Sequence, residues 1–118
     1  MAAEKNFENR IKKFLDEQGA WYVKFFANAM TKSGIPDILV CLNGKFIGIE
    51  VKQEKGTPSD LQEYHLRQIE KSGGIGILLY PSGFEKFKDE ILFFKETSLF
   101  LKADKELGYI KFKRGWYE

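Results

Sequence analysis

Three side chains between Gly34 and Lys52 are of the types that activate water on a phosphate or acyl centre: Asp37, Glu50 and Lys52. Two carboxylates brought together suit a hard, oxygen-seeking divalent cation that keeps several of its waters. This favours Mg²⁺ or Mn²⁺ over zinc, which prefers nitrogen and sulfur. An adjacent ammonium supplies part of the neutralisation and can orient a water. The plainer alternative is a surface hairpin whose Asp, Glu and Lys are simply solvated. No Ser-His-Asp or Cys-His arrangement, phosphate loop or zinc-ligand set competes for the chemistry.

The segment GIPDILVCLNGKFIGIEVK predicts how these residues meet. Asn43-Gly44 between two apolar runs is the signature of a two-residue hairpin turn, because both central residues need φ > 0. Such a turn sets Leu42 opposite Lys45 and therefore Asp37 opposite Glu50, with Cβ atoms roughly 4.5–5.5 Å apart. Lys52 follows on the same face, since strand side chains alternate. Ile38, Val40, Ile47, Ile49 and Val51 form the opposite, core-directed face. On the acid face Leu39 lies across from Gly48, which is expected to leave room beside the carboxylates. Pro36 denies a ladder donor just before Asp37, so this end of the strand is expected at an edge or bulge. Cys41 is read as a small core hydrophobe.

The flanking chain supplies the supports. Phe7, Ile11, Phe14 and Leu15 recur at helical spacing, predicting a helix from about Ala3 to Gln18 with Gly19 as its stop. Glu8 lies at the rim of that apolar stripe; its spacing alone fits an exposed, solubilising residue. Trp21 to Ala27 is aromatic and β-branched and reads as a strand. The loop after it carries Lys32 and Ser33, and the polar turn after Lys52 carries Lys55; these are the candidate phosphate contacts, with solvated loop residues as the alternative. Ser59 and Gln62 have the form of a capping box opening a helix to about Ser72. Gln62 is thus either a cap or, from its inward angular position, a neighbour of the acids. His65, the only histidine, falls on the apolar arc and is read as a partly buried residue without a catalytic role.

Gly73-Gly74 ends this helix, and Ile75 to Tyr80 is a short buried strand, giving a right-handed β-α-β crossover with parallel strands. A helix is predicted over Phe84–Phe94, a further short one over Ser98–Asp104, and a last strand over Tyr109–Lys113. The tail mixes cations with aromatics (Lys111, Lys113, Arg114, Trp116, Tyr117), which suits nucleic acid or a subunit contact, or a solvated edge strand.

At 118 residues the chain is long enough for one domain with a proper core, spanning 1–118. Its 43% hydrophobic and 31% charged residues argue against disorder. A net charge of +2 is too small for bulk charge to drive nucleic-acid binding, so local clustering must do so. One cysteine forms no internal disulfide, which fits a reducing compartment. The sequence shows no transmembrane run, signal peptide or lipidation motif, and a soluble, cytoplasmic protein without a membrane role is expected.

Taken together, Gly34-Ile35-Pro36-Asp37-Ile38, Ile49-Glu50-Val51-Lys52 and a Gln62 helix after a Gly-containing loop resemble the VRR-NUC family of the PD-(D/E)XK nuclease superfamily. The likeness runs from about Glu8 to Tyr80. It implies an α/β fold with a restriction-endonuclease-like core, a mixed central sheet flanked by helices in α-β-β-β-α-β order. It further implies a Mg²⁺- or Mn²⁺-dependent endodeoxyribonuclease acting on DNA, similar to the homodimeric four-way-junction resolvases of bacteria and phages. On that resemblance Asp37, Glu50 and the Val51 carbonyl hold metal, and Glu8 does so directly or through water. Lys52 orients or activates the attacking water, and Gln62 assists it. Two alternatives stay open: a non-catalytic DNA-binding or scaffold module, and a nuclease of flaps, nicks or general duplex DNA.

Overall fold

The computed structural model describes residues 2–26 and 33–117. The elements are α1 (Ala2–Glu17), β1 (Trp21–Lys24), β2 (Ile38–Leu42), β3 (Lys45–Val51), α2 (Asp60–Lys71), β4 (Ile75–Leu79), a 3₁₀ turn (Pro81–Gly83), α3 (Phe84–Thr97) and β5 (Ile110–Phe112). The strands form one mixed sheet in the order β1-β2-β3-β4-β5. β1, β2 and β3 are antiparallel neighbours; β3, β4 and β5 are parallel.

The hairpin has the expected register. Leu42 pairs with Lys45 and Ile38 with Ile49, and Asn43 and Gly44 take φ of 50° and 77°. That turn fixes which residues face inward. Ile38, Val40, Ile47, Ile49 and Val51 lie under α1 and α3, packed with Phe7, Ile11, Phe14, Phe84, Phe87 and Ile91. The helix stripes read from sequence are therefore the ones buried. A second, smaller core of Leu66, Leu78, Tyr80 and Tyr109 seats α2 on the other face.

Four expectations change. β1 ends at Lys24, and Ala27, at the far end of the expected strand, lies outside the described residues. Residues 98–104 form no helix. Ser98 caps α3 in the left-handed region with φ 62°, and Phe100 then packs edge-on between Phe94 and Phe112, pulling the chain back along the core. β2 is an interior strand, so Pro36 marks the end of its ladder and no sheet edge. Cys41 is exposed, because α2 covers the sheet around β3 and β4 and, among the described residues, no element covers the outer face of β1 and β2.

Candidate active site

The site forms where β2 and β3 part. Continuing the register past Ile38–Ile49, the residue across from Val51 is Pro36. A hydrogen-bonded antiparallel pair exchanges an N–H and a C=O in each direction, and proline has no N–H to give. The Val51 carbonyl thus loses its ladder donor, while the Val51 N–H donates to Asp37 Oδ2 at 2.8 Å. The Asp37 backbone still belongs to the sheet, its carbonyl accepting from the Phe25 N–H at 2.8 Å. The Pro-Asp pair therefore does two things at once: it ends the ladder and fills the gap with a carboxylate. Asp37 turns toward this gap while remaining across from Glu50, close enough for its charge to act on that carboxyl.

Glu50 is only 2% exposed, and its Oε1 is buried without a hydrogen-bond partner among the described residues. Burial and then the Asp37 charge push its carboxyl up to about 8, with Lys52 opposing. The Lys52 ammonium lies 3.6 Å from Glu50 Oε2. A buried carboxylate with an orphaned oxygen is costly unless something compensates it. The expectation that Gly48 leaves room here is not met: a Cβ on Gly48 would fall 2.6 Å from Ile69 Cδ1 and 3.1 Å from Pro36 Cγ. Gly48 is small because α2 and Pro36 sit on it. Gly34, with φ 80°, likewise lets the loop before Asp37 back against Leu61 and Gln62 in the first turn of α2.

On the α1 side, Lys24 of β1 joins the group, a residue that sequence reasoning did not assign to the site. Its Nζ lies 2.9 Å from Glu8 Oε2 and 3.4 Å from Asp37 Oδ1. Burial alone would lower this ammonium, but the Glu8 hydrogen bond and the charges of Asp37 and Glu8 outweigh it and raise it overall. Glu8 is buried, as an inward-looking acid must be, yet it faces Lys24 and not the Asp37–Glu50 pair. This side opens into a shallow cleft of about 320 Å³ lined by Glu4, Lys5, Glu8, Lys12, Lys24 and Phe26.

The remaining candidates fall elsewhere. Gln62 is the capping residue: its Oε1 accepts from the Ser59 N–H at 2.8 Å, and its own N–H donates to Ser59 Oγ at 3.2 Å. Its side chain makes no hydrogen bond to the acids or to Lys52. Ser33 is exposed in the turn before Gly34, and Lys55 is exposed in the loop after Lys52. Lys32 lies outside the described residues. His65 is half-buried and meets Tyr64 edge-on. The loop after Lys52 is fixed by two contacts that sequence patterning could not supply: the Tyr80 hydroxyl donates to the Gly56 carbonyl at 2.8 Å, and Glu54 accepts from Ser82 Oγ at 2.6 Å.

Among the described residues no three His, Cys, Asp or Glu side chains cluster closely enough to hold a metal by themselves. The arrangement fits a hard cation nonetheless. The Glu50 oxygen without a partner, the adjacent Asp37 carboxylate and the Val51 carbonyl, to which Pro36 has no N–H to offer, would supply oxygen ligands, leaving the rest to water and substrate, as Mg²⁺ prefers.

Residues 2–75 match the family model described as archaeal Holliday junction resolvase (Hjc). A solved structure titled VRR_NUC domain superposes with a TM-score of 0.59 at 25% identity, covering 75% of this chain and 92% of that one. No curated protein matches the chain.

Proposed function

The chain belongs to the archaeal Holliday junction resolvase family of nucleases, and from that premise we propose that it is a Mg²⁺- or Mn²⁺-dependent endodeoxyribonuclease that cuts four-way DNA junctions as a homodimer. The observation that carries the metal requirement is the Glu50 oxygen, buried and unpartnered beside a second carboxylate.

The division of labour follows from position. Asp37, Glu50 and the Val51 carbonyl would hold the cation. When bound, it withdraws charge from the scissile phosphate and lowers the pKa of water. Lys52, ion-paired to Glu50, orients the attacking water and offsets charge building on the phosphate oxygens. Hydrolysis adds the water oxygen to phosphorus, breaks one phosphodiester P–O bond and sends a proton to the leaving oxygen. Lys24 fixes Asp37 from the other side, with Glu8 holding Lys24 in turn. Glu8 therefore reaches the cation through water and not as a direct ligand. Gln62 acts by capping the α2 turn against which the Gly34 loop rests. Ser33, Lys55 and Lys32 remain the phosphate contacts of the flanking loops.

The dimer reading is supported by the uncovered sheet face. Trp21, Cys41 and Phe46 form one cross-strand row there, with Trp21 65% and Phe46 46% exposed. Two sites related by a two-fold axis can cut opposing strands of a junction symmetrically.

The test is cleavage of labelled four-way junction, flap, nicked, duplex and single-stranded DNA with Mg²⁺, Mn²⁺ or EDTA. Paired symmetric cuts in the junction, lost in EDTA, are expected. Cutting of the other forms alone leaves a nuclease without resolvase selectivity.

A further inference from the structure

The family match ends at residue 75, but the sheet runs on from the site through two more strands. Glu50 pairs with Leu78, and Leu78 with Lys111. Parallel partners project from the same face, so Glu50 and Lys111 share one row. The next row is Lys52, Tyr80 and Lys113, its ladder continued by Lys52 N–H to the Leu79 carbonyl at 3.0 Å and Tyr80 N–H to the Phe112 carbonyl at 3.0 Å. At about 4.8 Å between strands, Lys111 and Lys113 stand roughly 10 Å from the catalytic pair.

These two lysines are adjacent like charges, with Glu54 acting on Lys113 and Arg114, and Glu63 and Asp104 acting on Lys111, only through space. Among the described residues neither they nor Arg114 form an ion pair. The hydrogen bonds of the nearest acids go to neutral groups and not to these cations. Glu63 accepts from the Tyr109 hydroxyl at 2.7 Å, and Glu54 accepts from the Ser82 N–H and hydroxyl. Aromatic rings orient the cations without neutralising them: Lys113 lies 4.4 Å from the Tyr80 centroid, and Lys111 4.5 Å from that of Trp116. Burial and then the Lys113 charge lower the Lys111 ammonium, against only partial opposition from Glu63 and Asp104.

The patch is also tied to the catalytic loop. Ser82 Oγ donates to Glu54, in the loop after Lys52, and accepts from the Arg114 N–H at 2.9 Å. A row of cations held by aromatic rings, making no direct ion pair among the described residues and in line with the proposed cleavage site, is the pattern of a nucleic-acid backbone contact. We propose that Lys111, Lys113, Arg114 and Trp116 form a second DNA-binding subsite that grips the phosphates within about three nucleotides of the one being cut, given roughly 3.4 Å of rise per nucleotide. This subsite rests on the nuclease reading and extends it to a region outside the family match.

The experiment is anisotropy of a labelled four-way junction in EDTA across a NaCl series, paired with single-turnover cleavage in Mg²⁺. The proteins are wild type, K111Q/K113Q, K111R/K113R and R114Q. The double Gln variant is expected to bind about tenfold more weakly near 0.1 M salt and to lower the slope of log K against log salt by about 1–2. The Arg pair should restore both, and R114Q should shift both in the same direction by less. Single-turnover cleavage at protein concentrations below saturation should fall in parallel with binding, and the Arg pair should restore it. If the double variant loses its fold by circular dichroism, R114Q, on an exposed turn, decides. Wild-type affinity and slope in the Gln variants would overturn the subsite. Failure of the nuclease reading looks different: wild type itself would cut no DNA with either metal.

Discussion

Glu50 is the residue on which the metal-free site depends most, because its proton occupancy changes on folding. Its ordinary carboxyl value of 4.5 rises to about 8 in the folded chain, through burial and then the Asp37 charge. Between those two values the folded chain keeps a proton that the unfolded chain has released. Stability is thus fully present below about 4.5 and is lost as pH rises through about 8. In EDTA, Tm should fall by at least about 5 °C between pH 5 and 8.5, and Glu50→Gln should flatten that fall. At pH 8, Mg²⁺ or Mn²⁺ should restore Tm in the wild type but not in Glu50→Gln. An equal fall in both proteins would place the compensation elsewhere. Asp37 and Glu50 were legible in the sequence as a pair because a two-residue turn fixes their register locally. Lys24 was not, since no tight turn joins β1 to β2 and its pairing with Ile38 is decided by the whole sheet. The only local signal was a lysine in an otherwise aromatic strand.

At the scale of elements, the seat of α2 decides how the first helical turn meets the Gly34 loop, and glycines set it. A Cβ on Gly76 would come within 2.5 Å of the Leu66 carbonyl oxygen, whereas one on Gly48 would meet side chains alone, the end of Ile69 at 2.6 Å and the Pro36 ring at 3.1 Å. Backbone cannot move aside as a methyl can. Gly76→Ala should cost about 2–3 kcal/mol in urea unfolding and Gly48→Ala less than about 1.5. The reverse order would mean that α2 is seated through Ile69. The alternating and helical periods in the sequence were enough for the hairpin, the β-α-β unit and all three helices. They misassigned Cys41 and the space beside Gly48, because periodicity tells which face a residue takes and not which neighbouring element covers it. The expected helix over Ser98–Asp104 failed for a related reason: a non-local contact, Phe100 on Phe112, outweighed local propensity.

Across the whole molecule, the two faces of the sheet are treated differently. One is closed by α1 and α3; the other is closed by α2 over β3 and β4, and among the described residues no element covers it over β1 and β2. A row such as Trp21–Cys41–Phe46 left in water favours association by roughly 25 cal/mol for each Å² removed. The proposed homodimer should therefore depend on it. Trp21→Glu with Phe46→Glu should shift sedimentation from dimer to monomer and abolish paired cutting of a junction while preserving helix and sheet content. A dimer of undiminished affinity would move the interface to another face. No helix among the described residues is long and apolar enough to cross a membrane. The central claim, that this fold cuts DNA with a metal held by Asp37 and Glu50, is tested most directly by one comparison. Wild type, Asp37→Ala and Glu50→Ala, each shown folded by circular dichroism, are incubated with a labelled four-way junction in Mg²⁺, Mn²⁺ or EDTA. The account predicts metal-dependent cutting by the wild type and a loss of at least about 10³-fold in both variants. A folded Asp37→Ala or Glu50→Ala protein that cuts as fast as the wild type would contradict it.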